Sequence, residues 1–119
     1  MDEKPLFGVE LLRACDRVTV VELEGEVDIH TSRQFEEALS RSISAGAAHV
    51  IIDFAKVTFI DSTALGVVVG GVKGIQARGG TLDIVCPEEH IKSTFEATGL
   101  DRIVDIYGSR AEALAVATR

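Results

Sequence analysis

The chain has 119 residues, a formal net charge of −7 and a sequence pI near 4.9. That length fits a single domain, 1–119, with its own core and no need of metal or disulfide support, and the acidic balance argues against nucleic acid or an anionic membrane as partner. A hydrophobic fraction of 46% excludes a disordered chain, and 5% aromatic residues predict a core of Val, Ile, Leu and Ala.

The opening "MDEKPLFGVE" lacks the basic start and apolar core of a signal peptide, and no uninterrupted apolar run is long enough to span a bilayer. A cytoplasmic protein without membrane insertion is expected. Cys15 and Cys86 have no neighbouring Cys or His at metal-ligand spacing, which predicts two reduced, structural thiols. His30, His49 and His90 are scattered, so neither a metal cluster nor a cofactor is expected in the chain itself.

Two strands come first: one around Leu6 to Ala14, then Val18 to Leu23, where β-branched residues are dense, with "CDR" as the turn between them. "GEVDIH" leads into a first helix, "TSRQFEEALSRSISAG". There Thr31 and Gln34 have capping-box spacing, Phe35, Ala38, Leu39 and Ile43 line one face, and Gly46 stands where a helix ends. "HVIIDF" is a short continuous apolar run, the pattern of a central strand buried on both faces. From Ser62 to about Ala77, Leu65, Val68, Val69, Val72 and Ile75 recur at helical spacing and predict a second helix in spite of its glycines. "ARGG" closes that helix and "TLDIVC" is the next strand. Pro87 then begins a third helix, with Ile91, Phe95 and Thr98 inward and Gly99 as its stop. "RIVDIY" is a last strand and "SRAEALAVAT" a last helix, in which Ser109 and Glu112 again have capping-box spacing. The order ββαβαβαβα predicts an α/β fold, a mixed sheet covered by helices.

The stretch "TFIDSTALGV", Thr58 to Val67, sets Asp61, Ser62 and Thr63 in apolar surroundings. One reading makes Asp61 or Ser62 an N-cap that accepts a bond from an otherwise unpaired helical N–H. The other notes that free N–H donors and the positive end of the helix dipole make Ser62 an electrostatically tolerant place for a phosphoryl group. Spacing leaves both open. Gly66, Gly70 and Gly74 follow Ser62 at intervals of four, so the four positions share one nearly bare helical face. It serves either close packing within the protein or the approach of a partner's backbone towards Ser62, with its first part expected to be exposed.

Other chemistries fit less well. "GVVVGGVKG" is a near miss to a phosphate-binding loop, because Val72 separates Gly71 from Lys73 and no hydroxyl follows. Ser62 lacks a G-x-S-x-G elbow and a placed His base, which argues against a hydrolase. Asp53 stands where a receiver's phospho-accepting aspartate would, but an acidic pair after the first strand and a lysine after the last are missing, so a strand-end or turn role is expected. Asp28 follows the second strand and is either a solvated loop carboxylate or part of the same surface as Ser62.

Three segments resemble the STAS-domain anti-sigma factor antagonists of bacteria. "GEVD", Gly25 to Asp28, is similar to that family's Gly-Glu-hydrophobic-Asp motif, "FIDSTALG", Phe59 to Gly66, to its Asp-Ser-Ser/Thr-Gly-Leu-Gly signature, and "ATGL", Ala97 to Leu100, to a recurrent segment before the last strand. The resemblance covers nearly the whole chain. It implies the STAS fold, a mainly parallel sheet of four to five strands with about four helices. It also implies a non-enzymatic switch protein, with Ser62 as the serine phosphorylated by an anti-sigma factor that is itself an ATP-dependent serine kinase. In such a switch the unphosphorylated form binds the anti-sigma factor and frees the sigma factor, phosphorylation blocks this, and a metal-dependent phosphatase restores it. ATP would be bound by the kinase partner. Asp28 and Asp61 match positions bordering the phosphorylation site, Thr63 is a second hydroxyl in reach, and Gly66 and Gly70 continue the partner-facing track. Ala64 departs from the family's usual Gly, and its methyl is expected near the kinase-facing surface. A STAS subunit that binds the ATPase of a membrane transport complex is the alternative, against which the intact "DST" speaks.

Overall fold

The computed structural model describes residues 7–118. Strand β1, Phe7–Cys15, pairs antiparallel with β2, Val18–Val27, through a turn in which Arg17 sits at φ 72°. Leu6, the expected start of β1, lies outside the described residues. Three crossovers follow: β2 to β3 (His49–Ile60) through α1 (Ser32–Ser44), β3 to β4 (Thr81–Val85) through α2 (Ser62–Gln76), and β4 to β5 (Ile106–Tyr107) through α3 (Glu89–Ala97). These pairings are parallel, and the order is β1-β2-β3-β4-β5. Because the order never reverses and such crossovers are right-handed, α1, α2 and α3 all fall on one face. The last helix, α4 (Arg110–Ala117), packs on the other.

The main core lies between the sheet and α1–α3. Val, Ile, Leu and Ala dominate it as expected, but its centre is aromatic. Phe54 of β3 meets Phe35 of α1 edge-on at 6.2 Å between ring centroids and Phe95 of α3 at 5.2 Å. Under α4 a smaller cluster holds Val18, Val20, Ile51, Val85 and Ala113.

Strand β3 is twice as long as "HVIIDF" because two bulges hide its continuation. Glu22 and Glu24 of β2 face Asp53 and Lys56, and Gly25 and Glu26 face Val57 and Phe59, so β3 carries one extra residue at each step. The inward positions therefore run Val50, Ile52, Phe54, Val57, Ile60, a spacing that changes from two to three. Gly25, at φ 89°, is the β2 residue beside the second bulge, where a side chain would be strained. Asp53 is consequently a mid-strand residue and not a strand end. Its buried carboxylate accepts from Ala55 N at 2.9 Å across the first bulge and from Arg110 Nε at 2.9 Å.

Several local expectations change. Thr31 precedes α1 without capping it: its hydroxyl donates to Glu26 O and accepts from Asp28 N, so the capping box with Gln34 does not form. Pro87 stands before α3, whose cap is Glu88, accepting from Ile91 N. Thr98 is exposed rather than inward, while Gly99 ends the segment at φ 80°. "RIVDIY" contributes only Ile106–Tyr107 to the sheet, because Leu100–Arg102 form a 3-10 turn. Ser109 does cap α4, accepting from Glu112 N.

The two thiols also separate. Cys86 is buried, and burial pushes it up to about 11, whereas Cys15 is exposed and not a core thiol. One cysteine is expected to react rapidly with a disulfide reagent at mildly alkaline pH and the other only after denaturation. Two fast thiols in the native protein would contradict the packing of Cys86.

Candidate functional site

Strands β2 and β3 are parallel neighbours, so Asp28 after the first and Asp61 after the second emerge at the same edge of the sheet. Asp61 has extended backbone, φ −123°, and caps α2. Its Oδ1 accepts from Thr63 N at 2.9 Å and Ala64 N at 3.1 Å. Its Oδ2 accepts from Ile29 N at 3.0 Å, which ties the β2–α1 loop to the start of α2. Asp28 holds that loop from within: its Oδ1 accepts from His30 N at 2.9 Å and Thr31 N at 3.1 Å. It is half-buried and hydrogen-bonded within its own loop, so it is not a freely solvated carboxylate.

Ser62 is the first residue of α2 and is exposed. Thr63 is half-buried. Cap and phosphate compete for the same donors, and Asp61 already takes two of them. A group added at Ser62 Oγ therefore meets the field of the helix start together with the Asp61 carboxylate, and faces water. Ala64 does not lie at the kinase-facing surface expected for it: it is 1% exposed, with its methyl in the core beside Val67 and Val68. Leu65 and Val69, expected inward, are only half-buried because the stripe is rotated towards Ala64 and Val67.

Gly66 and Gly70 are exposed, and a Cβ on either would meet nothing within 4 Å. Close packing falls instead to Gly71, where a Cβ would lie 3.2 Å from Leu82 Cδ1 and overlap Leu39 of α1. Two large apolar side chains that sequence reasoning did not assign flank the site: Ile29, 67% exposed, and Phe59, 48% exposed. A large apolar residue directly after Asp28 in an otherwise polar loop is the sequence signal that marks the first.

Removing the Asp61 carboxylate is expected to cost about 1–2 kcal/mol, the upper range for a cap, and to loosen the loop at Ile29. Chemical denaturation of Asp61→Ala checks the first and amide exchange at Ile29 the second; wild-type values for both would refute the tether.

A STAS domain family model matches residues 12–113. The chain belongs to the STAS domain family. An anti-sigma F factor antagonist of Paenibacillus polymyxa is 32% identical over 101 residues, covering 82% of this chain and 84% of that protein. An anti-sigma-B factor antagonist of Staphylococcus aureus is 30% identical over 91 residues, covering 76% and 84%. Among solved structures, the anti-sigma factor antagonist SpoIIAA, a Bacillus cell fate determinant, is 25% identical. Its unphosphorylated form superposes with a TM-score of 0.81, covering 93% of this chain and 96% of that one, and its phosphorylated form with 0.74, covering 92% and 99%. The STAS assignment agrees with the five-stranded mixed sheet and four helices seen here.

Among the described residues no three His, Cys, Asp or Glu side chains converge as metal ligands, and no helix is long and apolar enough to cross a membrane.

Proposed function

We propose that this STAS protein is an anti-sigma factor antagonist, a cytoplasmic binding protein whose unphosphorylated form captures a kinase-type anti-sigma factor and frees the sigma factor. Phosphorylation of Ser62 by that serine kinase, with ATP on the kinase, switches binding off; a metal-dependent serine phosphatase resets it. The observation that carries the reading is the exposed Ser62 hydroxyl at the first position of a helix held by the Asp61 cap. The names of its relatives, and a relative solved in both phosphorylation states, support it.

The docking surface is the Ser62 edge with Asp28, Asp61 and Thr63, continuing over Gly66 and Gly70, with Ile29 and Phe59 as apolar contacts. Incubation with ATP and the cognate kinase, followed by intact mass, is expected to show one phosphate added to the wild type and none to Ser62→Ala. Phosphate on Ser62→Ala would move the site, first to Thr63.

A further inference from the structure

Three arginines remote from Ser62 line one pocket at the opposite end of the parallel strands. Arg13 late in β1, Arg17 in the β1–β2 turn and Arg41 near the end of α1 surround a cavity of about 290 Å³ with Leu11, Thr19 and Ala47. Among the described residues none of the three makes an ion pair, although the chain has 19 acidic and 12 basic residues. The helix carbonyls there are already occupied: Arg41 O accepts from Ala45 N at 3.0 Å, and Ser42 O from Ala47 N at 3.3 Å. Three arginines without an ion pair among the described residues thus line one concavity whose wall is partly apolar.

We propose that this pocket binds a small organic anion, a carboxylate or phosphate ester with an apolar body. Guanidinium forks match both acid groups, and Leu11, Ala45 and Ala47 offer apolar contact to the remainder. The space equals about ten water volumes, near the lower bound for small-ligand pockets. Strand β2 separates the pocket from the Ser62 edge by roughly 30 Å, so a small ligand there does not touch Ser62.

Amide spectra of the full chain, titrated separately with phenyl phosphate, octanoate and inorganic phosphate, test this. Shifts are expected at residues 11–19 and 41–47, with saturation by phenyl phosphate or octanoate at about tenfold lower concentration than by inorganic phosphate. Saturation by only one of the two organic probes identifies the acid group. The double variant Arg13→Gln, Arg41→Gln is expected to bind at least about tenfold more weakly, with its spectrum elsewhere unchanged, and Ser62→Ala to bind as the wild type does. The proposal is overturned by no saturation with either organic probe at millimolar concentration, by equal binding to the double variant, or by shifts centred on Ser62.

Discussion

Replacing Arg110 by methionine is expected to destabilise the protein by about 3 kcal/mol, the lower end of the cost of breaking a buried ion pair. The lower end applies because the Arg110 side chain is 32% exposed, while those of its partners Asp53 and Glu22 are 6% and 17% exposed. Arg110 donates from Nε to Asp53 Oδ2 at 2.9 Å and from Nη2 to Glu22, which also meets Lys56 at 3.3 Å. Burial pushes the Glu22 carboxyl up, but Arg110 and Lys56 together hold it below its ordinary 4.5. A depressed carboxylate contributes stability above its unfolded value and loses it as pH falls through the folded one. The difference between wild type and Arg110→Met should accordingly be largest at neutral pH and shrink below about pH 4.5. Urea denaturation at both pH values measures this, and amide exchange should place the loss first in α4. A variant as stable as the wild type at neutral pH would refute the anchoring role.

Phosphorylation of Ser62 is expected to weaken binding of the anti-sigma factor by about a hundredfold without a change of fold. The added charge is about −1.5 to −2 at neutral pH. A partner carboxylate about 6 Å away, at an effective dielectric near 20, adds roughly 3 kcal/mol of repulsion per unit-charge pair, and that is about a hundredfold. The core has no reason to respond, because Ser62 is exposed and the buried stripe beginning at Ala64 anchors α2. The Asp61 cap occupies the amides of Thr63 and Ala64, so a phosphate at Ser62 is expected to act on the partner rather than on the helix. Titration of the kinase with both forms measures the ratio, and amide spectra check the fold. Equal affinities would remove the switch, and shifts throughout the sheet would replace a local mechanism with a global one.

The α/β alternation, the helix beginning at Ser62 and the inward faces of α1 and α3 could be read from periodicity, since Phe35, Leu39, Ile91 and Phe95 are all buried. The latter half of β3 could not. Each bulge adds a residue on one strand, which turns the period of two into a spacing of three at Val57 and Ile60 and erases the strand signal. Capping boxes proved unequal for a similar reason. Among the described residues the Ser109 hydroxyl has no competing hydrogen bond, whereas the Thr31 hydroxyl is bound to Glu26 and Asp28. Ala64 looked like a surface departure, yet the rotation of α2 against the sheet put its methyl in the core.

By itself the sequence determined the kind and order of elements and the Asp-Ser pair at a helix start, because hydrophobic period and cap chemistry are local. Only the tertiary structure decided that Asp61 bridges to Ile29, that Asp53 pairs with Arg110, and that Arg13, Arg17 and Arg41 share one pocket. Those relations join residues separated by up to 57 positions, and strand register and helix rotation, which no local pattern encodes, set the distances between them.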